Sequence, residues 1–282
     1  MMTHSGVFLW FCGAVPHVMD PAYTGATGHY LNLGECYDRK ALFPMREQLV
    51  KAVHAYKECY VRAYQCLAAS GEVRCGARRP LLTAEAREKA AKRAKGILSR
   101  ELRGKKEIPG TISHRYLGAV TCKGMITGLE TAYLQCRRIY ELQDGYGLAS
   151  FLLEPLLKGA VSAGYDVVAC WSPEFPDSLQ HLLIPELSLA FLTTEAGVNL
   201  EKRPYRRIRM STFLDKELLR TCRTRLRFAD RIADELRAEG ILALGQSKEN
   251  HDKLEDIYHP YVNFRLMQEM ADGLTEEIME LP

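Results

Sequence analysis

Residues 139–153, IYELQDGYGLASFLL, join an apolar run to a second apolar run through a turn with two glycines, and the fold class turns on how they are read. The first run has the short, apolar character of a strand, expected at 137–142. The second opens a helix, LASFLLEPLLKGAVSAG, whose apolar residues recur at three- and four-residue steps. A strand that turns directly into a helix aims the first backbone N–H groups of that helix outward, where they favour an anion.

Outward from this segment the same alternation continues. Strands are expected at residues 7–12 (VFLWFC), 114–121, 165–170 (YDVVAC) and 187–192 (LSLAFL), the first and last short and apolar as in a sheet covered on both faces. Helices are expected at 39–70, with Gly71 as its stop, at 83–102 with Thr83 as N-cap and Gly104 as stop, and at 123–135, 215–239, 247–258 and 263–279. Residues 172–180 (SPEFPDSLQ) read as a loop, and Arg206 to Met210 fall within a basic loop. Strands alternating with helices over connections longer than hairpins predict an α/β protein with a mainly parallel sheet.

An internal repeat organises the chain. VFLWFCGAVPH, a loop ending LNLGECYD and a long helix parallel LSLAFLTTEAG, a loop ending IRMSTFLD and a long helix, with Asp38 opposite Asp215 just before each helix. The expected division is an incomplete first unit with a long helix and a basic connector helix over 1–106, and a second unit with C-terminal helices over 107–282.

Composition narrows the function classes. Of 282 residues, 47% are hydrophobic and 26% charged, which excludes collagen-like, coiled-coil and wholly disordered chains. Lys plus Arg is 38 against 35 Asp plus Glu, so net charge alone points to no polyanion or membrane partner. Its distribution is uneven: residues 201–231 hold eleven Lys/Arg against four Asp/Glu, and 232–282 hold four against twelve. Neutralisation of the basic stretch by the acidic one is the simpler reading, ahead of a nucleic-acid site. The longest apolar run, residues 6–16, is too short to span a bilayer and reads as a buried strand rather than a signal peptide. Nine cysteines without a C-x-x-C pair read as reduced thiols of a cytoplasmic protein.

Laid on the phosphate-binding pattern G-x-x-x-x-G-K-[ST] by the strand before it and the helix after it, the turn occupies residues 144–151. Asp144 stands for the first Gly, Ala149 for the second, Ser150 for the Lys and Phe151 for the hydroxyl residue. Asp144 brings negative charge to where phosphate would approach, Ser150 removes the offsetting cation, and Phe151 offers magnesium no oxygen. The positions for a metal-side Asp carry Cys12 and Thr193 or Thr194. By residues alone, a phosphate site and a plain strand-to-helix turn both remain open.

The segments around the turn carry a resemblance. Pro176-Asp177-Ser178-Leu179, Ile184-Pro185-Glu186-Leu187 and Pro16-His17-Val18-Met19-Asp20-Pro21, with HRYLGAVTCKGMITGL before the turn, resemble a family of bacterial tandem P-loop ATPases, nucleotide-kinase-like, over residues 6–264. In that family each half runs from a strand and Walker A loop through helix and strand to a P-D-S-L loop, an I-P-E-L strand start and A-P-H-V-x-D-P. The resemblance implies a P-loop NTPase-like fold, ATP with magnesium as cofactors, and ATP hydrolysis. The missing Lys and glycines imply weak or lost hydrolysis in this chain. Compared with the family, the first unit lacks its opening strand, P-loop and helix. Nucleotide contacts, if retained, fall on the backbone of Gly145, Tyr146, Gly147, Leu148, Ala149 and Ser150. No residue is assigned a catalytic or metal-binding role.

Other constellations have plainer readings beside functional ones. His17 with Asp20 is a proton-transfer pair or a Pro-held loop, and the second half has Val198 and Glu201 in their place. His251 and Glu255, with His259 beyond, are metal ligands on one helix face or a surface polar pair. Asp38 and Asp215 are expected N-caps. Arg203, Tyr205, Arg206, Arg207 and Arg209 are a polyanion grip, by charge and stacking, or partners of the acidic tail. The helix at 83–106 has nine Lys/Arg against three Asp/Glu and reads as a solvated connector. A non-enzymatic interaction module on a P-loop fold is the alternative to a degenerate ATPase.

Overall fold

The computed structural model describes residues 31–102, 104, 106–175, 177–195 and 200–280. The strand expected at 7–12, the loop with Pro16, His17, Asp20 and Pro21, Pro176, and Val198 lie outside the described residues. The helices are α1 (Arg39–Leu42), α2 (Arg46–Arg78), α3 (Ala84–Glu101), α4 (Leu129–Gln135), α5 (Ala149–Ser162), α6 (Lys216–Tyr258) and α7 (Phe264–Met279). The strands are β1 (Ile112–Arg115), β2 (Gly118–Thr121), β3 (Gly124–Thr127), β4 (Arg138–Gln143), β5 (Val167–Trp171), β6 (Leu179–Ile184), β7 (Leu189–Thr194) and β8 (Arg206–Arg209).

Six strands form one sheet in the order β1-β5-β6-β7-β4-β8, parallel throughout except for β6, which runs antiparallel to both of its neighbours. The expected α/β class with a mainly parallel sheet is therefore present. Both faces are covered, as the continuous apolar runs predict. One face presents Tyr140, Leu142, Leu182, Ile184 and Phe191 to α3, α5 and part of α6. The opposite face presents Ile139, Leu183, Ala190 and Leu192 to Ala132 and Cys136 around α4.

Helix α3 shows how sequence pattern sets this packing. Thr83 caps it by accepting from Ala86 N–H, and Ala86, Ala90, Ala94 and Ile97 form a buried stripe three or four residues apart. Small residues let α3 approach α5 closely; a Cβ on Gly159 would meet Leu98 Cδ1 at 2.4 Å. Helix α5 ends on Gly164 at φ +87°, a left-handed residue that lets Tyr165 N–H reach Ala160 O at 3.1 Å.

The chain divides by compactness into residues 1–59 with 246–282, and residues 60–245. This division cuts across the one at 106/107 drawn from sequence repetition. In the first unit, Ser247 Oγ donates to Tyr56 O at 3.0 Å, Asn263 N–H donates to Cys36 O at 2.7 Å, and Asp38 caps α1 through Lys40 and Ala41 N–H. The sheet lies wholly in the second unit.

Several expected boundaries move, each for a tertiary reason. Helix α2 continues through Gly71 to Arg78; that glycine lets the β5–β6 loop approach, since a Cβ there would lie 3.1 Å from Phe175 and 3.3 Å from Glu174 O. Gly240 likewise sits inside α6, where a Cβ would meet Leu67 Cγ at 2.9 Å, so the helices expected at 215–239 and 247–258 are one. The strand expected at 114–121 is two, β1 in the main sheet and β2 in a separate hairpin. Gly124 at φ +98° turns β2 back into β3, which takes the place of the start of the helix expected at 123–135. The end of the expected loop at 172–180 begins β6, and the basic loop contains β8, which pairs with β4 at the sheet edge.

Candidate functional site

Strand β4 is interior to the sheet, paired with β7 and β8, and passes through residues 144–148 into α5. The strand–turn–helix geometry expected of a phosphate loop is therefore present. Leu148, the N-cap of α5, has no side-chain oxygen to receive the first N–H groups of the helix. Asp144 does this work. It is 8% exposed; its Oδ1 accepts from Tyr146 N–H at 3.0 Å and its Oδ2 from Ala149 N–H at 2.6 Å. Asp144 N–H is itself anchored on Thr194 O at 2.9 Å, which fixes the carboxylate beneath the turn.

An anion thus already occupies the helix start, and it belongs to the chain. Burial pushes the Asp144 carboxyl above its ordinary range, opposed by the N–H donors of Tyr146, Ala149 and Leu148 and by the Arg78 guanidinium. Both oxygens accept, and these bonds favour the ionised form against the burial. Of the six expected contact residues, Tyr146 and Ala149 have their N–H groups taken, Leu148 and Ala149 are buried, and Gly147 is exposed at φ +76° with Gly145 and Ser150 half-buried beside it.

The metal side is also engaged in structure. Thr193 N–H donates to His181 Nδ1 at 3.0 Å, and Thr193 Oγ1 donates to Gln180 O. Thr194 Oγ1 donates to Glu141 Oε1 at 3.2 Å. His181 is fully buried, and burial depresses its pKa to about 3, so it is a neutral acceptor. ATP with magnesium does not fit this arrangement: a carboxylate fills the cradle, Ser150 supplies no cation, and both threonines at the end of β7 are bonded to the sheet.

Beside the turn lies an ion network. Arg74 and Arg78 on α2 face Asp230 and Asp234 on α6, with Arg74–Glu174 at 3.6 Å, Arg78–Asp230 at 3.3 Å, and an Arg74–Asp234 pair. Arg237 grips Glu174 through Nη2 at 2.8 Å and Nε at 2.5 Å. Burial raises the Glu174 carboxyl, with Arg74 acting against it. A cavity of about 460 Å³ between the turn and α6 is lined by Tyr146, Lys216, Arg220, Arg223, Arg227 and Asp230, together with two leucines.

On the opposite face, Glu141 of β4 is completely buried and pairs with Arg207 Nε at 2.5 Å. Within the basic cluster, Arg207 reaches under the sheet edge to Glu141 rather than to the expected acidic tail, and Arg206 lies over Tyr205 at 5.3 Å. Within the acidic stretch, Lys248–Asp252 and Arg265–Glu269 pair along their own helices, and Asp234 pairs with Arg74 of α2. Glu141 was missed in the sequence because one acidic residue in an apolar strand has no local signature of its partner.

His251 Nδ1 lies 3.4 Å from Glu255, and His251, Asp252 and Glu255 present ligand atoms within 4.8 Å of one another at the surface. His259 packs edge-on against Phe264 instead. Asp215 caps α6 through Leu218 N–H at 2.7 Å, as expected. The eight described cysteines are free, and among the described residues no helix is long and apolar enough to cross a membrane.

No protein-family model, no curated protein and no solved structure matches the chain.

Proposed function

We propose that this chain is a P-loop-type α/β protein whose phosphate cradle has been closed by its own side chain, so that it does not hydrolyse ATP and works as a binding module. The observation that carries the reading is Asp144, whose two oxygens take the Tyr146 and Ala149 N–H groups that a phosphate would need. The resemblance to tandem P-loop ATPases supplies the ancestry. In this reading the sheet is the surviving scaffold, the repeat a remnant of a second related unit, and the cytoplasm its compartment.

Titration of the full chain with a fluorescent ATP analogue and magnesium tests this. The expected result is no saturation up to about 1 mM, the level that corresponds to roughly 4 kcal/mol of binding. Saturable binding below that, or phosphate release from ATP that is lost on Ser150→Phe substitution in the turn, overturns the proposal.

A further inference from the structure

Helix α3 and strand β8, about a hundred residues apart in sequence, meet around a groove rich in cations. Two contiguous cavities of about 440 and 510 Å³ share Arg93, Thr212 and Phe213 as walls. Lys89, Lys92, Arg93 and Arg100 line them from α3, and Arg207 and Arg209 from β8. No carboxylate is among the lining residues.

The stripe follows from helix geometry. The three- and four-residue steps that bury Ala86, Ala90, Ala94 and Ile97 place Lys89, Lys92, Arg93 and Arg100 together on the exposed flank beside that stripe. From Lys89 to Arg100 it runs about 16 Å at 1.5 Å per residue. Gly96 lies within it, where even an added Cβ would meet nothing within 4 Å, so the floor is open. Lys89 is paired with Glu85 at 2.7 Å and Arg207 with Glu141, whereas Lys92, Arg93 and Arg209 have no carboxylate partner among the described residues.

An exposed aromatic ring, Tyr205, stands just ahead of β8, outside the lining of the two cavities. Tyr205 is 48% exposed and packs edge-on against Tyr140, whose hydroxyl donates to Glu101 beside Arg100. The guanidinium groups of Arg206 and Arg138 lie 5.3 and 6.0 Å from the Tyr205 ring centre.

We propose that this groove binds single-stranded nucleic acid, with Lys92, Arg93 and Arg209 on phosphates and Tyr205 as a stacking platform for a base. Unpaired guanidinium and ammonium groups in a row match a repeating anion, and an exposed ring beside the cations of Arg206 and Arg138 matches a flat base. At about 3.4 Å per nucleotide the stripe accommodates roughly four or five. A lipid surface is a poorer match, because the apolar residues of α3 face the protein core and none flank the cations on its exposed side.

The test is fluorescence anisotropy of labelled oligo-dT and oligo-U 12-mers with the full chain at 50 and 200 mM salt. Three phosphate contacts predict a fall in affinity of about twentyfold over that range. The triple variant Lys92→Glu, Arg93→Glu, Arg209→Glu changes exposed side chains only, and should abolish the salt-sensitive binding while circular dichroism is unchanged. Tyr205→Ala should weaken binding about tenfold with little change in the salt slope. Absence of salt-sensitive binding by the wild type overturns the proposal, as does undiminished binding by the triple variant. Loss on Arg223→Glu with Arg227→Glu instead, or tighter binding to phosphatidylserine vesicles than to either oligonucleotide, overturns it too.

Discussion

Replacing Asp144 by Ala removes the acceptor for two backbone donors at the start of α5, and the cost can be worked out. Ala149 N–H is buried and loses a 2.6 Å charge-assisted bond; Tyr146 N–H is partly exposed and recovers part of its loss from water. Charge-assisted hydrogen bonds contribute about 1.5–3 kcal/mol each, and relief of the carboxylate's own burial offsets some of it, leaving a loss of about 2–3 kcal/mol. The vacated donors then form an anion site. With a dissociation constant of about 10 mM, 100 mM inorganic phosphate should return about 1.4 kcal/mol to Asp144→Ala and nothing to the wild type. Urea unfolding followed by circular dichroism, with and without phosphate and with potassium chloride matched for ionic strength, reads both effects. Asp144→Asn, which keeps one acceptor oxygen, should fall between the two proteins. A variant within about 0.5 kcal/mol of wild type, or equal phosphate stabilisation of both, would refute the view that Asp144 stands in for a bound anion.

Three further outcomes follow from the sheet and its edges. His181 is neutral in the fold and its pKa is depressed from 6.5 to about 3, so the unfolded chain takes up a proton first as the pH falls. Stability is present above 6.5 and lost progressively below it, by about 2 kcal/mol between pH 7 and pH 5, and His181→Asn should flatten that loss in urea titrations at the two values. Arg207→Met strands the fully buried Glu141 carboxylate with only the Thr194 hydroxyl. Its midpoint in denaturant should correspond to a loss of about 3 kcal/mol, whereas the double change Glu141→Leu with Arg207→Met recovers most of it. Gly110→Ala should destabilise by about 2 kcal/mol or more, because a Cβ there would sit 2.0 Å from Tyr165 O, and a thermal midpoint equal to wild type would contradict that close approach.

How far the sequence carries the fold depends on whether the deciding interaction is local. The segment 139–153 announces strand, turn and helix because its apolar spacing and glycines are local signals, and the structure has β4 and α5 there. The caps at Asp38, Thr83 and Asp215 are equally legible, since each accepts from an N–H two or three residues ahead. The negative charge of Asp144 was legible as well, and so was its conflict with phosphate. What the sequence could not express was that the carboxylate would turn under the helix and satisfy the donors itself.

Gly71 and Gly240 show the limit from the other side. Read alone, a glycine in a helical pattern is a stop; in the fold each is an opening for a neighbour distant in sequence, so both helices continue. Strands β6 and β8 were hidden for a related reason, because pairing across a sheet leaves little mark on the few residues that do it. By itself, then, the sequence determined the layered α/β class, the turn at residues 144–148 and the basic character of α3. Only the tertiary structure decided that Asp144 fills the helix start, that Glu141 receives Arg207, and that α3 and β8 face one groove, because each depends on groups brought together by sheet pairing and helix docking rather than by chain neighbourhood.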